Sequence, residues 1–196
     1  MRKSRYLGNL FVAIGLLASA HASGQGVIGI DDAGLEVEIL QDSGRFTACG
    51  IRVIAAHVEA APTTRVWDVT LSLALDGNKG AAVVKGTSYD FPVPGGRPMP
   101  RPAPVEFAFS VQGDPRVIQA TGTRPALTSP AASLAGVSDE MGFAAVLNAL
   151  RNETPILIFF RPKGLDVEVL AVSGKLKPAE NDALGQCLRG LLAGAN

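Results

Sequence analysis

Cysteine and histidine are almost missing from this sequence, at two of each in 196 residues. Cys49, Cys187 and His57 (the one histidine beyond the first two dozen residues) are too few ligands for a structural zinc site. Neither charge sign is in excess. The 18 basic residues balance 18 acidic ones, and no basic stripe is present to grip nucleic acid. Past Leu17 no apolar run is long enough to cross a membrane. No glycine-rich stretch matches a phosphate cradle, because "VPGGRP" lacks the Lys-Ser/Thr pair and is interrupted by prolines. The adjacent acids Asp31-Asp32 and Asp139-Glu140 read as a turn and a first helical turn rather than as paired catalytic carboxylates. No cofactor or metal is therefore expected. Aromatics are few, at 6%, while glycine and proline number 22 and 13, which favours many strands and turns over long helices.

What is present begins with an export signature. Arg2, Lys3 and Arg5 form a basic n-region, and "LGNLFVAIGLL" from Leu7 to Leu17 is an apolar stretch too short for a bilayer. Ala20 and Ala22 satisfy the small-x-small rule, so residues 1–22 are expected to be a secretory signal peptide cleaved after Ala22. No cysteine follows closely enough for a lipoprotein anchor. Cleavage removes three basic residues and leaves a net charge of about −3. The mature chain, 23–196, is expected in the periplasm or medium, with no membrane insertion after cleavage.

Alternation marks the first half as β-rich. "LEVEIL" sets Leu35, Val37 and Ile39 against Glu36 and Glu38. "CGIRVIAAHV" puts Cys49, Ile51, Val53 and His57 on one face. In "VWDVTLSLALD", Trp67, Val69, Leu71 and Leu73 alternate with Asp68, Thr70 and Ser72, and the Asp-Gly-Asn-Lys-Gly turn that follows returns the chain antiparallel. Pro92 to Pro104 holds six prolines, none in a P-x-x-P pair, and reads as a stiff arm crossing between two sheet layers. "VEFAFSVQ" alternates again, and "RVIQATGT" adds an edge strand.

Residues 125–137 are rich in Ala, Ser and Pro and read as a loop. From 138 onward the pattern is helix, hairpin, helix. Ser138 caps a helix with Phe143, Val146, Leu147 and Leu150 on one stripe. "PILIFF" is a strand buried on both faces, and "LDVEVLAVSG" is its hairpin partner. Pro178 opens a last helix whose apolar stripe includes Leu184, Cys187 and Leu191. The expected fold is one α+β domain over 23–196. An N-terminal antiparallel β-sandwich or open barrel occupies 23–124, and the helix-hairpin-helix part, 138–196, packs on it.

Both cysteines lie on apolar faces of an exported chain, so a Cys49–Cys187 disulfide is expected. His57 reads as a strand-end residue with a hydrogen-bond partner, and it is the only candidate base, with Ser43 the candidate hydroxyl. "VIAAHV" resembles the Ala-Ala-His segment of chymotrypsin-like serine proteases, and "QDSGR" their Asp-Ser-Gly. Here, however, the serine precedes the histidine by about a dozen residues, against the order of that family, and the second glycine is missing. The leading expectation is an exported, non-enzymatic binding or structural protein of the bacterial envelope: an inhibitor, immunity or envelope-interaction factor. Its expected partner is another envelope or extracellular protein. A hydrolase using His57 and a surface-assembly subunit are the alternatives.

Overall fold

The computed structural model describes residues 27–30, 32–58, 63–76, 79–92, 95–127 and 129–194. The expected signal peptide lies outside these residues. Among them, eleven strands and two helices form. The first strands are β1 (Val27–Gly29), β2 (Asp32–Asp42), β3 (Arg45–Val58), β4 (Thr63–Asp76) and β5 (Lys79–Pro92). Then come β6 (Met99–Pro100), β7 (Pro104–Val111), β8 (Ile118–Ala126) and β9 (Ser129–Val137). Helix α1 (Glu140–Arg151), β10 (Ile156–Pro162), β11 (Glu168–Val172) and helix α2 (Pro178–Gly194) complete the chain.

The strands make one sheet in the order β1-β11-β10-β7-β8-β9-β5-β4-β3-β2, with β6 added to β5. All pairs are antiparallel except β1 with β11. The α+β class holds, in the form of a curled half-barrel that wraps around two helices. The strands run on continuously through β8, so the β-sandwich named among the expectations is not confirmed. The reason lies in the C-terminal hairpin. β10 pairs with β7 from Ile156↔Val111 to Pro162↔Pro104, so the hairpin extends the sheet instead of packing on it. Only Ile30 and Asp31 separate β1 from β2, yet these strands end opposite sides of the path. So short a link spans about 11 Å at most, and it draws the two ends of the curl together. The turn expected at Asp31 to Gly34 is accordingly β2 from Asp32 onward.

Two further expectations need correction. The loop placed at 125–137 is strand β9 from Ser129, with Ala82↔Val137 to Gly86↔Ser133 as its register on β5. Small Ala, Ser and Gly side chains let it pass closely between β5 and β8. "RVIQATGT" is therefore interior to the sheet, pairing with β9 as well as briefly with β7. The helix cap shifts one residue. Asp139, not Ser138, accepts the Gly142 amide at 2.8 Å, since only that position reaches the first free N–H groups of α1.

The core follows the strand alternation. Ile51, Val53, Trp67, Val69, Leu71 and Val84 face inward and are at most 1% exposed. They meet Phe143, Val146, Leu147 and Leu150 of α1 and Leu184, Cys187 and Leu191 of α2 in one continuous cluster. Phe107 and Phe160 meet edge to face at 5.5 Å, as do Phe109 and Phe143 at 6.0 Å. The double burial expected of "PILIFF" is real: Ile156, Ile158 and Phe160 join the main core, while Phe159 packs in a second cluster with Ala108 and Val169. Cys49 and Cys187 form a disulfide with Cα atoms 5.8 Å apart, tying α2 to β3.

Gly86 is where β5 passes beneath the aromatic pair. A Cβ there would lie 2.6 Å from Phe107 Cε1 and 3.2 Å from Phe160 Cε2. Both rings are buried and cannot swing out. Gly86→Ala is expected to lower stability by about 1–3 kcal/mol through overpacking, measured by urea denaturation; an unchanged midpoint would show that the rings have room to shift.

Candidate functional site

Two polar groupings emerge from the sheet, one on each face. The inner one closes an end of the core. Arg65 and Trp67 of β4, Asp90 of β5, Arg101 just past β6, and Glu168 at the start of β11 converge there. Arg65 Nε donates to Asp90 Oδ1 at 2.9 Å, and Arg65 Nη1 reaches Glu168 Oε1 at 3.2 Å. Arg101 Nη1 lies 2.7 Å from the same oxygen, and Trp67 Nε1 donates to Glu168 Oε2 at 2.7 Å. Arg101 and Glu168 are 9% and 11% exposed, so two cations and two anions balance in a largely dry setting. Every carboxylate oxygen of Glu168 is consumed by a donor. Such a grouping locks elements together and leaves nothing to offer a substrate.

This cluster also explains the proline arm. β6 pairs with Tyr89 and Asp90 at the end of β5, and the Arg101 amide donates to Ser88 O at 3.0 Å. The arm is thus a strap. It folds back on β5, plants Arg101 beside Asp90 and Glu168, and then leads into β7 of the same sheet.

The outer grouping is a groove of about 410 Å³ across β2 to β5, walled at one end by the start of β9. Strand register builds it. Glu36, Arg52, Thr70 and Lys85 fall in one row across four strands. Arg52 is clamped by Asp68, with Nε to Oδ1 at 2.8 Å and Nη2 to Oδ2 at 2.7 Å, and its Nη1 reaches Glu36 at 3.3 Å. The Asp68 hydrogen bonds raise the Arg52 pKa above its already high ordinary value, so the guanidinium stays charged. Thr87 Oγ1 donates to Ala131 O at 3.0 Å, which holds the first residues of β9 against β5 as a wall.

Two charges in this groove make no direct ion pair, although Glu38 adds to the field that keeps Arg52 charged. Among the described residues Lys85 and Glu38 have no ion-pair partner within 4.0 Å. Glu38 Oε2 is shut off from water and has no hydrogen-bond partner. Tyr89, Thr70 and Ser129 add hydroxyl groups to the lining.

The residues singled out from sequence are placed differently. His57 is half-buried at the end of β3, across from Arg65 in the register and at the margin of the inner cluster. Ser43 sits in the turn between β2 and β3, exposed, with φ of 48° and its Oγ donating to Asp42 Oδ1 at 3.2 Å. About 40 Å of strand separates them, and the structure does not bring them together. Cys49 and Cys187 are brought together, as the disulfide.

Sequence reasoning missed Arg65, Asp90 and Glu168, although a signal existed. Arg65 shares the phase of Trp67, Val69 and Leu71, and Glu168 that of Leu170 and Val172. A charge on the buried phase of a strand marks a partner across the sheet. Glu38, Arg52, Asp68 and Lys85 carried no such signal, because they lie on the polar phase where charge is ordinary.

Among the described residues, no group of three or more His, Cys, Asp or Glu is placed to hold a metal ion, and no helix is long and apolar enough to cross a membrane. No protein-family model, curated protein or solved structure matches this chain.

Proposed function

We propose that this is an exported, non-enzymatic binding protein of the bacterial envelope, and that the outer groove of β2 to β5 is its binding face. One observation carries the reading: an open groove of about 410 Å³ gathers Arg52 with Glu36, Glu38 and Asp68, and beside them Lys85, which has no ion-pair partner within 4.0 Å among the described residues. Export is supported by the basic, apolar and small-residue segments of the N-terminus and by the disulfide, which needs an oxidising compartment to form. Another envelope or extracellular protein, inhibited, neutralised or tethered, is the partner. A hydrolase on His57 draws no support from its surroundings, since Arg65 and not a nucleophile faces it across the strands.

The test is capture from an envelope extract on three immobilised proteins: wild type, Glu38→Gln/Lys85→Met, and Glu153→Gln/Lys175→Met. The last pair is an exposed ion pair that does not line the groove. A protein retained by the wild type and the remote variant but lost from the groove variant is the expected outcome. Equal retention by all three would place the binding face elsewhere.

A further inference from the structure

We infer that the partner adds an extended segment of its chain to the free edge of β2, along Glu36 to Leu40, and that this segment is basic where it passes Glu36. This rests on the binding reading above and says how a protein partner meets the rim of the groove.

β2 ends the path of strands. Among the described residues it pairs with β3 alone, and no backbone hydrogen bond from elsewhere reaches it. Every second residue of such a strand turns its N–H and C=O away from its neighbour, so this edge carries an unfilled ladder. Of the usual guards it has only charge. β2 has eleven residues and no proline, and its register shift comes as late as Leu40/Gln41. Toward its start, Gly174 sits against the Leu35 side chain, since a Cβ on it would lie 3.0 Å from Leu35 Cγ. The open stretch is therefore Glu36 to Leu40.

Charge selects the occupant. Arg52 gives its two short hydrogen bonds to Asp68, at 2.8 and 2.7 Å, and meets the exposed Glu36 only at 3.3 Å. Asp68, Glu36 and Glu38 together surround this one cation, so the rim keeps an excess of two negative charges. A second copy of β2 brought edge to edge would set acids against acids, which is destabilising. A basic segment instead continues the row that runs from Lys85 through Thr70 and Arg52 to Glu36, and gives Glu36 a cation on both sides. Leu40 is 53% exposed, and its own row holds only Ala48, Ala74 and Ala81. An apolar residue on the added strand would cover it. Main-chain bonds then supply affinity, and the alternate side chains supply selectivity.

Nitrogen-15 NMR titration of the protein with acetyl-Val-Thr-Lys-Thr-Lys-Thr-Val-amide tests this. The peptide reads the same in both directions, so it suits either strand sense. Shifts are expected along Glu36 to Leu40, and the analogue with glutamate for lysine should bind at least about tenfold more weakly. Glu36→Lys should cut that preference by at least about fivefold. Only one alternate set of a docked strand's amides faces β2. Methylating the lysine nitrogens in one analogue and the threonine nitrogens in another should therefore abolish binding in one case and spare it in the other, a pattern that attraction between loose charges does not give. Excess peptide should also displace the partner captured from envelope extract. Both methylated forms binding, both failing, or shifts that avoid β2 would overturn the inference. So would groove-dependent capture that persists while the peptide neither binds nor displaces, which leaves the binding face standing. Loss of both peptide binding and groove-dependent capture would overturn the two together.

Discussion

Cys187→Ser should cost the protein about 2–5 kcal/mol and release α2 before the rest of the fold. The bond closes a loop of 138 residues. In the chain-entropy treatment so long a loop restricts the unfolded chain by about 5 kcal/mol, which is a ceiling. Two local terms act in the same direction. Both cysteines are 0% exposed, so a serine hydroxyl is left among apolar neighbours. Helix α2 is also weak on its own, because Gly185 and Gly190 each cost it about 1 kcal/mol relative to alanine. Gly190 lies where a Cβ would run into the ring of Phe46. The bond holds by a covalent link what close packing against β3 weakens in the helix. Urea denaturation with hydrogen exchange across 178–194 checks this. Unchanged stability, or exchange no faster in α2 than in β3, would show that packing alone holds the helix.

Glu168→Ala should be comparably severe, at about 3–5 kcal/mol. It removes the acceptor shared by Arg65, Arg101 and Trp67, and leaves two largely buried guanidinium groups beside Asp90 without that carboxylate. The damage is that of an unbalanced charge, so removing one cation should repair part of it. Arg101→Met in the Glu168→Ala background is expected to recover stability, although Arg101→Met alone lowers it. A double-mutant cycle by chemical denaturation measures the coupling. Additive losses would mean that the cluster is a surface ornament of the fold and not its clasp.

Much of the architecture was legible because it depends on local alternation. β3, β4, β5, β7, β10, β11 and both helices follow directly from the phase of their apolar residues, and the disulfide follows from two cysteines on apolar faces. Sheet membership was not legible. Whether β10 lies on the sheet or within it depends on Ile158 meeting Phe109 across a register with no local signature. β9 escaped notice because a strand squeezed between two others uses Ala, Ser and Gly, the same residues that mark loops. The groove was the least visible feature. Glu36 and Lys85 are 49 residues apart, and each looks like an ordinary solvent-facing charge until four strands align them.

The most direct test of the groove as a binding face is whether binding and stability separate in one protein. Urea denaturation of Glu38→Gln/Lys85→Met, the variant expected to lose its partner, decides it. Charges held for a ligand contribute little to the free fold, so its stability should stay within about 0.5 kcal/mol of wild type. A loss approaching that of Glu168→Ala would show that Glu38 and Lys85 hold the sheet together, and would contradict a groove kept open for a partner.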